Sequence, residues 1–205
     1  MTEAVPFIGI NRHRLGADGR GVTTLAAFHG CTLRCKYCLN RRCLESAEGL
    51  PAYTPEQLFK HVSIDNLYFI ATGGGVCFGG GEPLLHSDFI CEFKELCGKS
   101  WNITVETSLN VPQKAVAKVV KVAGEFIVDI KESNLNIYNA YTSGDGSRAW
   151  DNLRYLLSEV AAAQVMVRVP LIKDYNTESD TAKTVEKLKK MGVLRIDKFE
   201  YITNR

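Results

Sequence analysis

Three cysteines stand close together in the segment FHGCTLRCKYCLN, which covers residues 28–40. They are Cys31, Cys35 and Cys38, with gaps of three and two residues between them. The chain has seven cysteines, and an odd count with three crowded into one loop argues against a disulfide framework. The segment therefore predicts metal or redox chemistry carried by thiolates.

Two kinds of thiolate site compete for these cysteines. A structural zinc site takes four tetrahedral ligands, and the nearby residues that could complete one are Cys43 and His29. A cubane iron–sulfur cluster normally takes one cysteine for each iron. Three cysteines would leave one iron without a protein ligand, and an open coordination position is a place for a substrate or a cofactor.

The segment GGGEP, at residues 79–83, is a second candidate for binding. Glycine lets the backbone approach a ligand closely, and carbonyl groups at a strand end can accept hydrogen bonds from an ammonium group. A plain turn is the alternative interpretation of the same residues. Because the cysteine segment precedes it, the binding interpretation is favoured.

Charged residues end the next predicted strands. Glu106 and Thr107 end the third strand, and Asp129 and Lys131 end the fourth. Charges at consecutive strand ends converge on one crevice, whereas paired surface charges are the alternative. Arg168 interrupts an apolar strand, and its guanidinium suits either bidentate contact with a carboxylate or a structural salt bridge.

Strand-like and helix-like segments alternate along the chain, which predicts an α/β fold with a parallel sheet and right-handed crossovers. Six units are too few for a closed eight-stranded barrel, so we expect a partial (β/α)6 TIM-like barrel, open on one side. A doubly wound sheet is the alternative. The predicted strands cover residues 21–28, 74–80, 102–108, 125–131, 164–172 and 195–202, and the predicted helices cover 55–70, 85–98, 111–124, 149–163 and 177–192.

Length and composition predict an ordinary globular protein. At 205 residues the chain has room for one domain, 1–205, and its net charge of +2 does not suggest nucleic acid as a partner. No apolar run approaches the ~18 residues of a membrane span. The start, MTEAVPFIGINRHR, lacks the pattern of a secretion signal, so we expect a cytoplasmic protein.

The spacing C-x-x-x-C-x-x-C, with Tyr37 before the last cysteine, resembles the signature of the radical S-adenosylmethionine superfamily. Within it the chain is similar to the glycyl-radical-enzyme activating enzymes, of the short pyruvate formate-lyase activating type. The similarity covers roughly residues 20 to 200 and rests on four segments in the same order, GCTLRCKYCLN, GGGVCFGGGEPLLHSDFI, VDIK and YTSGDGSRAWDNLRYLL.

The resemblance implies a [4Fe–4S] cluster on Cys31, Cys35 and Cys38, with S-adenosylmethionine chelating the remaining iron and a monovalent cation near the acidic residues. Asp129 and Lys131 join the three cysteines as expected catalytic residues. The residues expected to bind the cofactor are Tyr37, Asn40, Gly79, Gly80, Gly81, Glu82, Glu106, Thr107, Asp129, Lys131 and Arg168.

The activity that the resemblance implies is reductive cleavage of S-adenosylmethionine to a 5′-deoxyadenosyl radical. That radical would take a hydrogen from a glycine of a partner glycyl radical enzyme. The alternatives are another radical enzyme, such as an activator of anaerobic ribonucleotide reductase or a peptide- or small-molecule-modifying enzyme, and a non-catalytic iron–sulfur or zinc module. We expect a monomer.

Basic residues follow and interleave the cysteines in the same loop. They form either a solvated loop or a landing surface for an acidic electron donor such as flavodoxin or ferredoxin. These residues are Arg34, Lys36, Arg41 and Arg42.

The other cysteines lie in different sequence contexts. Cys77, Cys91 and Cys97 have apolar neighbours and are predicted to be small buried hydrophobic residues. Cys43 follows the cysteine loop, and we expect an ordinary surface or half-buried thiol there.

Overall fold

The computed structural model of the chain describes residues 2–201, and in this part eight strands form one sheet. Their order across the sheet is β3-β1-β2-β4-β5-β6-β7-β8. The strands are β1 (Val5–Leu15), β2 (Val22–Phe28), β3 (Ala52–Tyr53), β4 (Gly75–Gly80), β5 (Asn102–Thr107), β6 (Glu125–Asp129), β7 (Val165–Leu171) and β8 (Arg195–Glu200).

The strands β2, β4, β5, β6, β7 and β8 pair in parallel, each with the next in chain order. A doubly wound sheet would reverse this order at a switch point, and no reversal occurs within residues 2–201. The sheet has β3 and β8 as its edges over the same residues, so the partial barrel open on one side is confirmed. The sixth strand was predicted to run to residue 202, which lies outside the described residues.

Seven α-helices occur in the described part of the chain, and none of them is long and apolar enough to cross a membrane. Thr54 begins the first helix with a capping box, in which its hydroxyl accepts from the backbone of Gln57. The helices are α1 (Pro55–Val62), α2 (Asn66–Thr72), α3 (Ser87–Cys97), α4 (Gln113–Val119), α5 (Leu135–Thr142), α6 (Gly146–Glu159) and α7 (Glu178–Lys190).

The structure adds elements that the sequence patterns did not predict. The helix predicted over 55–70 is divided into α1 and α2 by a 3-10 turn over Ser63–Asp65. β1 and β3 are antiparallel additions at the sheet edge, and the half-exposed β1 lacks the apolar run of the parallel strands. α5 has only eight residues, so its stability depends on burying Tyr138 and Tyr141 rather than on its own pattern.

The hydrophobic core lies between the sheet and the helices that cover its outer face. Phe28 and Phe78, on neighbouring strands, stack with ring centroids 5.5 Å apart. Phe89 and Phe93 of α3 pack edge-on against Phe78, at 6.3 and 5.2 Å. Because side chains alternate across a strand, the residues between these aromatic positions face the inside of the partial barrel.

The turn between β1 and β2, residues 16–21, folds under that inner face. Gly19 has φ +114, and an added Cβ there would lie 2.3 Å from the hydroxyl of Thr104 on β5. The backbone N–H of Arg20 donates to the carboxylate of Glu125, at the start of β6, over 2.9 Å. The turn therefore closes the partial barrel at the amino ends of its strands.

Asp65 joins three parts of the chain and provides a test of this packing. Its buried carboxylate accepts from Arg12 at 2.5 and 2.8 Å and from Thr24 at 3.0 Å. The hydrogen bond from Arg12 is the main cause that lowers the pKa of Asp65 below its ordinary value of 3.8. The stabilisation is therefore present above that value and is lost as the pH falls through the lowered pKa.

We expect Asp65→Asn to lower the free energy of unfolding near neutral pH by about 2 kcal/mol, because hydrogen bonds to a charged group are lost. Urea titrations at a series of pH values measure this, and the difference from wild type is expected to shrink below pH 3.8. Asp151→Asn, in an exposed pair with Arg154, is the matched control. An equal loss of stability at every pH would contradict the prediction.

Candidate functional site

Strand register brings the charged residues onto one row of the inner face. Asp129 pairs with Arg168, and Arg168 pairs with Asp197, and paired residues of neighbouring strands share a face. Glu106 pairs with Ile127, two residues before Asp129, so it lies on the same face. Carboxylate and guanidinium groups therefore alternate across β6, β7 and β8.

These groups line a cavity of about 340 Å³ at the carboxyl ends of the strands. The cysteine loop after β2 forms one wall, and the ends of β4, β5 and β6 together with β7 and β8 supply the rest. The lining residues are Cys31, Leu33, Cys35, Cys38, Leu39, Asn40, Gly80, Gly81, Glu106, Thr107, Ser108, Asp129, Lys131, Arg168, Asp197, Phe199 and Tyr201.

Backbone hydrogen bonds hold the cysteine loop on both sides of Cys35. The N–H of Arg34 donates to the carbonyl of Thr142 at 2.8 Å, and the N–H of Lys36 donates to that of Tyr141 at 3.1 Å. Both carbonyls belong to the last turn of α5, where they have no partner inside the helix. The helix missed by the sequence patterns is thus the support for the central cysteine.

The GGGE turn supports the loop from the other side. The side-chain amide of Asn40 donates to the carbonyl of Gly80 at 2.8 Å, and the N–H of Glu82 donates to the carbonyl of Gly30 at 2.8 Å. The N–H of Gly81 donates to the carbonyl of Phe28 at 2.9 Å. The turn and the base of the cysteine loop are therefore in direct backbone contact.

The contact leaves no room for a side chain at Gly81. A Cβ added there would lie 2.0 Å from the carbonyl oxygen of Gly30, whereas nothing lies within 4 Å of one added at Gly9. We expect Gly81→Ala to lower the free energy of unfolding by about 2 kcal/mol, because the two loops must separate. Chemical denaturation measures the loss, and Gly9→Ala is the control with near wild-type stability. Equal stability of the two variants would show that the contact is not tight.

Glu82 is turned away from the cavity into a buried hydrogen-bond network. Its carboxylate accepts from the hydroxyls of Thr107 and Ser108 at 2.6 and 2.7 Å, and from the N–H of Ser108 at 3.0 Å. Burial raises the pKa of Glu82, although these donors act in the opposite direction. The network fixes the end of β4 against the end of β5.

Ion pairs link the charged side chains of the inner face. Arg168 contacts Glu106 at 2.5 Å and donates a further hydrogen bond to the carbonyl of Ala17, in the turn below, at 2.7 Å. Lys131 contacts Asp129 at 2.8 Å, and only 8% of the Lys131 side chain is exposed. The guanidinium of Arg168 is therefore held by a carboxylate and by the floor of the partial barrel.

The pKa values of these groups follow from their burial and their neighbours. Burial raises the pKa of Glu106, the charge of Asp129 raises it further, and Arg168 lowers it. Burial works to lower the pKa of Lys131, but Asp129 and other nearby groups outweigh it and hold that pKa well above its ordinary value. Lys131 is therefore a cation at neutral pH.

The three thiols differ in their affinity for a proton. Burial raises the pKa of Cys31 to about 11, and burial also raises that of Cys35. A hydrogen bond with Cys43 lowers the pKa of Cys38 to about 6 and raises that of Cys43. A metal that takes these thiolates must release protons from Cys31 and Cys35.

The cysteines outside the cavity lining are largely buried. Cys77 and Cys97 are buried as predicted. The prediction was wrong for Cys91, which is only partly buried because it lies at the side of α3, near the carbonyl of Lys118. It was also wrong for Cys43, which is only 2% exposed; its carbonyl accepts from the N–H of Gly30, at the start of the cysteine segment, at 2.9 Å.

The structure brings together most of the predicted site residues, but not all of them. The cavity lining contains Cys31, Cys35, Cys38, Asn40, Gly80, Gly81, Glu106, Thr107, Asp129, Lys131 and Arg168, and it does not include Tyr37, Gly79 or Glu82. The hydroxyl of Tyr37 instead donates to Asp174 at 3.2 Å. As the side chains stand, no group of three or more His, Cys, Asp or Glu within residues 2–201 is arranged to hold a single metal ion.

Sequence reasoning missed several lining residues. β8 was predicted as a strand, but its Asp197, Phe199 and the following Tyr201 were not assigned to the site; their alternate spacing was the signal available. Nothing in the sequence around Leu33, Leu39 and Ser108 indicated that these residues belong to the site. Asp18 was also missed: it is buried in the floor turn, where its charge acts on Glu106 and Arg168.

Fold and site together define an α/β partial-barrel protein with a thiol-lined cavity at the carboxyl ends of its strands. The sequence matches the Radical SAM superfamily over residues 26–194, and the chain therefore belongs to that superfamily. It is an enzyme of the radical S-adenosylmethionine oxidoreductase type, and its predicted similarity to the glycyl-radical activating enzymes is confirmed.

Individual relatives show the same similarity. The chain is 28% identical over 187 residues to the pyruvate formate-lyase-activating enzyme of Clostridium pasteurianum, covering 90% of this chain and 76% of the relative. It is 32% identical over 164 residues to the (2S)-3-sulfopropanediol dehydratase activating enzyme of Klebsiella oxytoca, covering 78% and 50%.

Among solved structures, Streptococcus suis SuiB bound to S-adenosylmethionine has the same fold. It superposes with a TM-score of 0.65 at 14% identity and covers 84% of this chain. The chain spans 39% of the length of SuiB, so the similarity concerns the fold of this part alone.

Proposed function

We propose that the chain is a glycyl-radical-enzyme activase that uses S-adenosylmethionine and a [4Fe–4S] cluster. The observation that carries this proposal is that one cavity is lined both by the three cysteines of one loop and by charged groups from consecutive strands. The names of the relatives, activating enzymes for pyruvate formate-lyase and for (2S)-3-sulfopropanediol dehydratase, support the class of partner.

The donor set fits a cluster with one iron free of protein ligands. Cys31, Cys35 and Cys38 line the cavity and would hold the cluster, whereas Cys43 lies outside the lining, against Cys38. When bound, the cluster and S-adenosylmethionine would together supply one-electron cleavage of the sulfonium to methionine and a 5′-deoxyadenosyl radical, which takes a hydrogen atom from the partner's glycine.

The polar lining suits the two ends of S-adenosylmethionine. Asn40 donates to the carbonyl of Gly80, whose second lone pair could accept from an ammonium group. Gly81, which also lines the cavity, would offer its carbonyl to the same group. Glu106 and Thr107 would flank the ribose, and Asp129 and Lys131 would border the methionine end and the substrate. Arg168 keeps Glu106 in place.

Three of the predicted site residues do not line the cavity and would instead position residues that do. Gly79 would allow β4 to pass close to Glu106, since a Cβ at Gly79 would lie 3.1 Å from that carboxylate. Glu82 would fix the turn that carries Gly80 and Gly81. Tyr37 would anchor the cysteine loop through Asp174.

A monovalent cation is part of the proposal. The charge of Asp129 raises the pKa of Glu106, so the two carboxylates repel each other across the cavity. A bound cation between them would relieve this repulsion. Potassium-dependent binding of S-adenosylmethionine, measured by calorimetry, would test it.

We propose further that residues 1–205 form one radical SAM domain, which acts as a monomer in the cytoplasm. Its cysteines would stay reduced there. Its reductant would be a flavodoxin or a ferredoxin.

The test is anaerobic reconstitution with iron and sulfide, followed by reduction with dithionite in the presence of S-adenosylmethionine. We expect chromatography to detect 5′-deoxyadenosine and methionine in equal amounts. Absence of 5′-deoxyadenosine in a protein that carries its cluster would refute catalysis and favour a non-catalytic iron–sulfur module.

The partner is tested separately. A neighbouring reading frame with a glycyl-radical loop, R-V-S/A-G-Y or similar, identifies the protein to add to the reduced enzyme. We expect electron paramagnetic resonance to detect a glycyl radical on it. Formation of 5′-deoxyadenosine without any such radical would favour another radical reaction, on a peptide, a nucleotide reductase or a small molecule.

A further inference from the structure

A groove lies on the outer side of the cysteine loop, away from the cavity. Its volume is about 300 Å³, and its lining consists of Arg34, Cys35, Lys36, Arg41, Leu44 and Glu45. Cys35 is the one residue, among those that the structure describes, that lines both the groove and the cavity. The groove and the cavity therefore meet at Cys35.

Two of the three basic side chains that line the groove are held by hydrogen bonds to the loop backbone, and none of the three is paired with an acidic group of the described residues. The guanidinium of Arg34 donates to the carbonyl of Cys31 at 2.9 Å, and that of Arg41 donates to the carbonyl of Lys36 at 3.1 Å. Across residues 2–201, Arg34, Lys36, Arg41 and the adjacent Arg42 form no ion pair. Glu45 is the single acidic residue in the lining.

The positive charge of the loop is unpaired in the described part of the chain, unlike that of α7, where Lys183 and Lys190 pair with Asp180 and Glu186. The net charge of the chain is only +2, so four unpaired cations within nine residues form a local field rather than part of a basic surface. All four side chains are exposed, and the backbone beneath them is tied to α5 on both sides of Cys35. A rigid basic surface of this kind attracts an acidic protein surface and orients it.

We propose that this groove is the docking site of an acidic electron-carrier protein, whose electron enters through Cys35. The inference rests on the proposed function, because that activity consumes one electron from outside the chain. The carrier loses one electron and the group held by the three cysteines gains it, with no transfer of atoms. The opposite side of the thiol stays free for the cofactor and the substrate.

The test compares two reductants on the reconstituted enzyme. Formation of 5′-deoxyadenosine is measured with a reduced bacterial flavodoxin and with dithionite, which needs no docking surface. Lys36→Glu is the informative variant, because Lys36 is exposed, lines the groove and takes part in none of the ion pairs described within residues 2–201. We expect the ratio of the flavodoxin-driven to the dithionite-driven rate to fall roughly tenfold.

Lys189→Glu, on the exposed side of α7, makes the same change in net charge and is the control. We expect its ratio of rates to equal that of wild type. In wild type the flavodoxin-driven rate is expected to fall with added salt, and Lys36→Glu is expected to weaken this dependence. An unchanged ratio in Lys36→Glu would overturn the docking site, as would equal losses in both variants.

The two proposals fail in different ways. If no 5′-deoxyadenosine forms with dithionite in the wild-type enzyme, the proposed function fails. If dithionite supports the reaction but Lys36→Glu affects only the transfer of the radical to the partner, the groove binds the partner's acidic surface instead, and the electron-carrier site is wrong.

Discussion

Replacing Cys35 by alanine is expected to abolish assembly of the cluster. The rate of 5′-deoxyadenosine formation is therefore expected to fall at least a thousandfold. Cys35 is the central thiol of the three that line the cavity, and its flanking residues are tied by backbone hydrogen bonds to α5. Without it two protein ligands remain, because Cys43 lies outside the lining. Iron and sulfide analysis and the absorbance of the reconstituted protein measure the loss.

Cys91→Ala is the matched control for this experiment. Cys91 is a partly buried thiol on α3, outside the cavity lining, so its removal is expected to leave iron content and activity at wild-type levels. A second check is the free energy of unfolding of the iron-free proteins. Cys35→Ala is expected to match wild type, which would show that the variant still folds. A full complement of iron in Cys35→Ala, with activity, would refute the role of the three cysteines.

Replacing Lys131 by methionine is expected to lower kcat/KM for S-adenosylmethionine cleavage by about a hundredfold, or 2.7 kcal/mol. Methionine keeps much of the length and the apolar stem, so the loss isolates the charge. Asp129 would remain at the cavity without its 2.8 Å partner. Because Lys131 acts to lower the pKa of Glu106, its removal raises that pKa further, and the acid limb of the pH–rate profile moves to higher pH.

Lys118→Met is the control that tests whether the effect of Lys131→Met depends on the burial of its ion pair. Lys118 also forms an ion pair with an aspartate, Asp88, at 2.6 Å, but 47% and 66% of the two side chains are exposed. Exposed pairs contribute little, so this variant is expected to match wild type in activity and pH profile. If Lys131→Met retains the wild-type pH profile, Lys131 does not act on the charges of the cavity.

The sequence alone predicted the elements whose signals are local. The cysteine spacing lies within eight residues, and the six parallel strands are short apolar runs bounded by turn residues. Because parallel strands place their carboxyl ends on one rim, Glu106, Asp129 and Lys131 could be assigned to one crevice from the sequence alone. The lining of the cavity contains all three.

Features that depend on contacts between distant residues were decided only by the tertiary structure. Arg168 meets the carbonyl of Ala17, 151 positions away, and α5 holds the cysteine loop from more than a hundred residues further along the chain. No local sequence pattern predicts these contacts, because they follow from packing and strand register. The same reason explains why Glu82 faces inward, why Tyr201 reaches the cavity, and why three basic residues share one groove with Cys35.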